Sequence, residues 1–295
     1  MHEIILCKLG EVVLKGLNRR SFEMKLMSNI RRRTQRFGKW KIYSRQSTIY
    51  VEPAEENCDI AGAYAACKQV FGIIAITRAL PNVCVLKGNH EDLMLRALRG
   101  ADQVEMSMCA MDWAMNGGST TSDALEALDD EDASMVVDWV ERLPCWAQVR
   151  VGERDYILTH AGIDPWRVEV PAAWDEGSIE RLMAAQRPDD LLWIRDDFWT
   201  SPTGLVNERG EGPIVIAGHT PTPYLTGMLG EACGPTRNAD GLAQMVKVGA
   251  SGATGGVADR WDIDAGAAGG AGFGQVLVLR LDDGACFYEP ILPGE

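Results

Sequence analysis

Residues 3–26 read EIILCKLGEVVLKGLNRRSFEMKL and predict how the chain begins to fold. The apolar stretch EIILCKL is typical of a β-strand, and Asn18 is a good N-cap for a helix. Phe22, Leu26 and Ile30 recur at i, i+4 spacing and therefore share one face of that helix. A strand followed by an amphipathic helix is the expected start of the fold.

The residues that follow extend this pattern to a complete unit. Two short strands, KWKIYS and STIYVEP, are separated by Arg45-Gln46, which indicates a hairpin. A helix over about 57–70 then leads to a last strand, FGIIAITRA. The order βαββαβ predicts a ferredoxin-like domain over residues 1–79.

Charge divides the chain near Ala79. Residues 1–79 carry a formal charge of +7 and residues 80–295 carry −20, for a net charge of −13. Two differently built domains, 1–79 and 80–295, are therefore expected. The basic segment suits an anionic partner, whereas the acidic segment would repel nucleic acid unless a metal intervened.

The second segment alternates helices with short apolar runs. A strand NVCVLKG, a helix DLMLRALR closed by Gly100, a loop containing Asn116-Gly117-Gly118 and an acidic helix before Pro144 are predicted first. Later strands end in polar or glycine-rich residues: RDYILTHAG, GPIVIAGHT, RWDIDAG and QVLVLRL. Strands that finish in His or Asp at a loop are where metal sites are assembled.

Histidine is rare in this chain, and its placement is informative. Three of the four histidines, His90, His160 and His219, follow apolar runs, and the fourth is His2. A hydrolytic divalent metal takes neutral imidazoles, carboxylates and occasionally an amide oxygen, held on loops by rigid strands. Asn89, His160 and His219 are the residues expected to supply one such site.

Six motifs of the second segment occur in the order used by one family of hydrolases. They are GNHE (88–91), NGG (116–118), THAG (159–162), LLWIRDDFW (191–199), AGHTPT (217–222) and RWDIDAGA (260–267). The stretch from about residue 80 to 281 resembles the phosphoprotein-phosphatase-type, calcineurin-like metallophosphoesterases. The resemblance implies an α/β (α+β) chain with an incomplete metallophosphoesterase β-sandwich, flanked by helices, after the ferredoxin-like domain.

The same resemblance implies roles for individual residues. Asn89, His160 and His219 match ligands of the second of two metals, which are commonly Mn, Fe or Zn. His90 matches the residue that protonates the leaving oxygen, and Arg195 matches an arginine that grips phosphate oxygens. The implied substrate is a phosphorylated protein or a small phosphomonoester.

Two blocks of that family have no counterpart in this chain. An Asp-x-His-Gly block and a Gly-Asp-x-x-Asp-Arg-Gly block should precede GNHE, and they supply the ligands of the first metal and the bridging Asp. A divalent metal at the second site only is therefore expected. Without a bridging carboxylate, such a site cannot clamp both attacking and leaving oxygens, so we expect phosphatase activity to be strongly reduced or absent.

The first segment has a resemblance of its own. EIILCKLGEVVLKGLNRRSFEMKL followed by VFGIIAITRA resembles the N-terminal ferredoxin-like domain of the tRNA 4-thiouridine synthetases. That resemblance implies weak, salt-sensitive contact with tRNA through basic side chains. The candidates are Lys15, Arg19, Arg20, Arg31, Arg32 and Arg33.

Three functional hypotheses therefore stay open: a metal-dependent phosphoesterase, an RNA-binding module derived from a 4-thiouridine synthetase, and a non-functional fusion of two gene fragments. The eight cysteines form no C-x-x-C pair and are expected to be free, buried thiols. No apolar run reaches the roughly 18 residues of a membrane span. The charged start of the chain differs from a signal peptide, so a cytoplasmic protein without a membrane partner is expected.

Overall fold

A computed structural model describes residues 3–9, 19–45, 48–71, 73–79 and 83–294 of the chain. The chain separates into two compact units, Met1–Cys84 and Val85–Glu295. No helix in the described ranges is long and apolar enough to cross a lipid bilayer.

The first unit is a four-stranded antiparallel sheet with two helices. Its sheet order is β2-β3-β1-β4, so that β1 lies between β3 and β4 and pairs antiparallel with both. This is the predicted ferredoxin-like βαββαβ arrangement, which is thereby confirmed. The elements are β1 (Ile4–Leu9), α1 (Arg19–Thr34), β2 (Trp40–Arg45), β3 (Thr48–Pro53), α2 (Ile60–Cys67) and β4 (Ile73–Ala79).

One face of this sheet is buried against both helices. Ile5 and Cys7 of β1 are fully buried with Leu26 and Ile30 of α1 in one apolar core. The i, i+4 pattern therefore identified the buried face of α1 correctly, whereas the side chain of Phe22 lies outside the described part. The predicted helix over about 57–70 begins only at Ile60, because the carboxylate of Asp59 caps it by accepting from the Gly62 amide at 2.9 Å.

The second unit begins with helices packed around a small apolar core. Leu93, Trp113 and Val140 from three of these helices are buried together. In place of the predicted loop at residues 116–118, the short segment Ala114–Gly118 joins two helices through a kink, where Asn116 and Gly117 depart from helical angles. The helices are α3 (Asn89–Arg99), α4 (Gln103–Trp113), α5 (Ser119–Glu126) and α6 (Asp130–Glu141).

A five-stranded mixed sheet follows in the order β5-β6-β7-β9-β8. Its middle strands β6, β7 and β9 are parallel, so their carboxyl ends lie at one edge. The strands are β5 (Trp146–Val151), β6 (Arg154–Thr159), β7 (Ile214–Ala217), β8 (Val246–Val248) and β9 (Arg260–Asp262); β10 (Gln275–Arg280) and β11 (Ala285–Pro290) form a separate hairpin. The remaining helices are α7 (Glu176–Ala185), α8 (Pro188–Trp193), α9 (Asp196–Thr200) and α10 (Leu225–Leu229).

The predicted strand NVCVLKG is wrong over the residues that can be described. Pro81 and Asn82 lie outside the described ranges, and residues 83–88 form no strand. Apolar composition alone does not make a strand, because a strand also needs a neighbour for its backbone hydrogen bonds. Val83 is accordingly 61% exposed. All eight cysteines are free, as expected, but only Cys7, Cys67 and Cys233 are buried; four are partly buried and Cys84 is exposed, contrary to the expectation of buried thiols.

Candidate functional site

The sheet brings the predicted metal ligands to one place. His160 directly follows β6, and His219 lies two residues beyond β7. Because these strands are parallel, both histidines emerge at the same edge, and the Gly218 amide donates to the His160 carbonyl at 2.9 Å. Asn89 is the first residue of α3 and is 6% exposed.

Three side-chain atoms converge at this edge. Nε2 of His160 lies 2.8 Å from Oδ1 of Asn89 and 3.2 Å from Nδ1 of His219. Ligand atoms in adjacent positions around one ion, with bonds of about 2.1 Å, lie about 3.0–3.4 Å apart. The two distances from His160 Nε2 are thus close to the spacing of neighbouring ligand atoms around one metal ion.

The donor chemistry also fits a cation. Oδ1 of Asn89 only accepts hydrogen bonds, and a single proton on His160 Nε2 cannot serve it and the His219 nitrogen equally well. One divalent ion would satisfy all three atoms at once. Within the described ranges, no group of three or more His, Cys, Asp and Glu side chains is placed to hold a metal. The candidate site therefore depends on the Asn89 amide as its third ligand.

Electrostatics keep both imidazoles neutral. Burial lowers the pKa of His160; the nearby Glu91 carboxylate opposes this shift, and the Arg195 cation adds to it. Burial and then the Arg195 cation lower the pKa of His219 to about 3. Neutral imidazole is the form that ligates metals, so both histidines are ready to bind at neutral pH.

The backbone at His219 is held in a costly conformation. Its φ of 66° is the one positive value found among the described non-glycine residues. The left-handed region costs a residue with a Cβ roughly 1–2 kcal/mol, and such strain is concentrated at functional sites. The surrounding structure maintains it: the Thr220 amide donates to the Gly218 carbonyl at 2.7 Å, and Thr220 is fully buried.

The GNHE motif has a structural explanation for its first and last residues. Gly88 precedes α3, and its amide donates to the Glu91 carboxylate at 2.8 Å, which caps the helix. A Cβ on Gly88 would lie 3.0 Å from the His160 ring, so glycine allows the ring to approach this closely. The motif therefore positions Asn89 against His160 through backbone geometry as well as through its side chains.

His90 and Arg195 lie at the exposed rim of the site. His90 is exposed next to Asn89, whereas His160 and His219 are partly buried. Arg195 is exposed, and its Nη1 donates to the His219 carbonyl at 2.8 Å and to Oγ1 of Thr220 at 3.2 Å. The structure thus gathers all five residues chosen from the sequence at one edge of the second unit.

Two carboxyl groups near this edge, one buried and one partly buried, were given no role by sequence reasoning. Asp262 ends β9 and is fully buried; its Oδ1 accepts from the Asp264 amide at 2.9 Å, and its Oδ2 has no partner in the described residues. Burial raises the pKa of Asp262 well above its usual value and also raises that of Asp264. The signal was present in RWDIDAGA, since Asp262 ends a strand parallel to β7 and Asp264 lies two residues beyond it.

The basic residues proposed for RNA contact differ in availability. Nη2 of Arg31 donates to the Ile42 carbonyl at 3.0 Å, and Nη1 of Arg33 donates to Oε1 of Gln69 at 3.3 Å. Arg32 is exposed and makes no hydrogen bond or ion pair within the described ranges. Lys15 and the side chains of Arg19 and Arg20 lie outside the described part of the chain.

The first unit is similar to a known family of protein domains. Residues 4–77 match the ThiI ferredoxin-like domain family. This match agrees with the observed order of strands and helices in the first unit, and it covers about a quarter of the chain.

Relatives of the first unit include proteins named "Probable tRNA sulfurtransferase". The protein from Acetivibrio thermocellus is 48% identical over 77 residues, which are 26% of this chain and 20% of the relative. Those from Alkaliphilus oremlandii and Thermoanaerobacter sp. are 37% and 42% identical over 79 residues, which are 27% of this chain and 20% of each relative. The chain thus spans about a fifth of the length of the curated relatives it matches.

Proposed function

We propose that the first unit is an RNA-contacting module that binds tRNA weakly through its basic helix surface. The observation that carries this proposal is the match of residues 4–77 to a domain of tRNA-sulfurtransferase-type proteins. Its charge of +7 supports the same conclusion, because contact with phosphates supplies most of non-specific RNA affinity.

The arrangement of the basic side chains favours weak binding. Lys25, Arg32 and Arg36 are exposed, whereas Arg31 and Arg33 are engaged within the unit. Each free cation releases about one counterion from the phosphate backbone. With only a few such groups, affinity falls steeply as salt concentration rises.

The test is fluorescence anisotropy of labelled bulk tRNA with the full chain at 50 mM and 0.2 M NaCl. We expect binding at the lower salt concentration that is largely lost at the higher one. Replacing Arg32 and Arg36 with Glu should abolish it, while the matched pair Arg187→Glu and Arg209→Glu in the second unit should not. Retention of tRNA at 0.2 M salt would contradict weak contact, and no binding at 50 mM would refute the proposal.

A second candidate function belongs to the second unit: a metal-dependent phosphoesterase of strongly reduced activity. The convergence of Asn89 Oδ1, His160 Nε2 and His219 Nδ1 favours it. A divalent metal held there would polarise a phosphoryl oxygen and acidify a bound water. The expected substrates are a phosphorylated protein or a small phosphomonoester.

The exposed rim residues would assist that reaction. His90 offers an imidazole next to Asn89 that can protonate a leaving oxygen. Arg195 uses Nη1 to hold the His219 loop, which orients the rest of its guanidinium fork for phosphate oxygens. In these roles His90 and Arg195 would act beside the metal and would not be among its ligands.

Turnover of p-nitrophenyl phosphate with added Mn²⁺ tests this second candidate. We expect a rate just above background that is lost in His90→Ala and in His219→Ala. Robust Mn²⁺-dependent turnover by the unchanged chain would contradict the expected strong reduction of activity. A residual rate that survives both substitutions would show that this site does not carry it.

A further inference from the structure

One helix of the second unit carries an apolar stripe on its outer side. Val104, Met108, Met111 and Met115 follow each other at spacings of four, three and four residues along α4 and its extension, so they share one face. Their exposed fractions are 68%, 64%, 65% and 79%. The stripe is about 16 Å long at 1.5 Å per residue.

This stripe is not the face that α4 uses to pack in its own unit. Trp113 is buried and Cys109 is half-buried in the core formed with α3 and α6. At 100° per residue, these two positions lie on the side opposite to Met108 and Met111. The helix is thus apolar on two sides, and only one of them is covered within the described structure.

The sequence around the stripe is strongly acidic, and Arg96 and Arg99 of α3 pair with only three of its carboxylates, those of Glu105, Asp138 and Glu141. Residues 101–141, which include α4, α5 and α6, contain eleven Asp and Glu and no Lys or Arg. Asp112, which flanks the stripe, is exposed. Two copies of this region brought face to face would repel each other, whereas a basic partner would be attracted.

We propose that the outer face of α4 is a docking site for an amphipathic helix of another protein that has Lys or Arg beside an apolar stripe. Methionine suits this role because its flexible thioether side chain adapts to differently shaped apolar partners. The acidic flanks set the orientation and favour basic partners. We expect the bound segment to be a helix, because the stripe is narrow and about three helical turns long.

The probe is a labelled 18-residue peptide of Leu and Lys, with Leu at i, i+3, i+4 and i+7 positions, titrated with the full chain at 50 mM salt. We expect saturable binding that Met108→Gln with Met111→Gln weakens at least about tenfold. Met24→Gln is the matched control, because Met24 is 55% exposed on α1 of the first unit. Circular dichroism checks that each variant is folded.

Two further peptides separate helix docking from simple charge attraction. A peptide of the same composition with scrambled Leu positions, and one with Glu in place of Lys, should each bind at least about tenfold more weakly. Equal binding of the scrambled peptide, or no effect of the Met108/Met111 substitutions, would overturn the proposal. Self-association of the chain that these substitutions abolish would also overturn it, since the occupant would then be a second copy.

Discussion

Nε2 of His160 lies 3.2 Å from Nδ1 of His219, although the two residues are 59 positions apart in the chain. Their proximity follows from the parallel pairing of β6 with β7, which aligns the carboxyl ends of the two strands. Asn89 reaches the same point from the start of α3. The candidate site is therefore built by three elements that belong to one unit.

This geometry predicts that the second unit binds one divalent metal ion per chain. His219→Ala removes one of three ligands and should weaken Mn²⁺ or Zn²⁺ binding more than about tenfold in isothermal titration calorimetry. His90→Ala is the matched control, because His90 is exposed beside the site and its side chain is not one of the converging three. Equal metal affinity of His219→Ala and the unchanged protein would show that the site does not hold metal.

Gly162 of the THAG motif packs closely against the Phe198 ring. Gly162 has a φ of 146°, and a Cβ there would lie 2.4 Å from the fully buried Phe198 ring. Gly162→Ala should therefore lower the free energy of unfolding by about 2–4 kcal/mol in urea titrations. Gly152→Ala separates strain from packing, since Gly152 has a φ of 60° and nothing within 4 Å of the added Cβ. A loss of about 1 kcal/mol is expected there, and similar losses at both positions would argue against the predicted clash.

Local patterns in the sequence sufficed for the first unit. The apolar stretch around Ile5 and the helical spacing of Leu26 and Ile30 each reflect a short-range preference, and all three residues are buried. Strand pairing in this unit adds little uncertainty, because βαββαβ has a standard arrangement. The ferredoxin-like fold could therefore be predicted with little knowledge of the contacts between residues distant in the chain.

The second unit was harder to predict, because its elements depend on contacts between distant residues. Val83 and Val85 are apolar, yet they are exposed and form no strand, because no neighbouring strand pairs with them in the described structure. Conversely, the sequence does not show that Asp262 is buried. Its complete burial is evident only in the folded sheet. The metallophosphoesterase β-sandwich remains a prediction, while the five-stranded sheet and the separate hairpin are what the structure shows.

The buried Asp262 makes stability depend on pH. Its pKa is raised well above the usual 3.8 by burial, so the folded chain keeps a proton that the unfolded chain releases as pH rises above about 4. Unfolding is therefore favoured by rising pH until the folded carboxyl group ionises. Asp262→Asn removes this proton linkage, so its free energy of unfolding relative to the unchanged protein should increase between pH 4 and pH 8 in urea titrations. Asp240→Asn, at an exposed position, should show a constant difference, and a pH-independent effect at Asp262 would contradict a raised pKa.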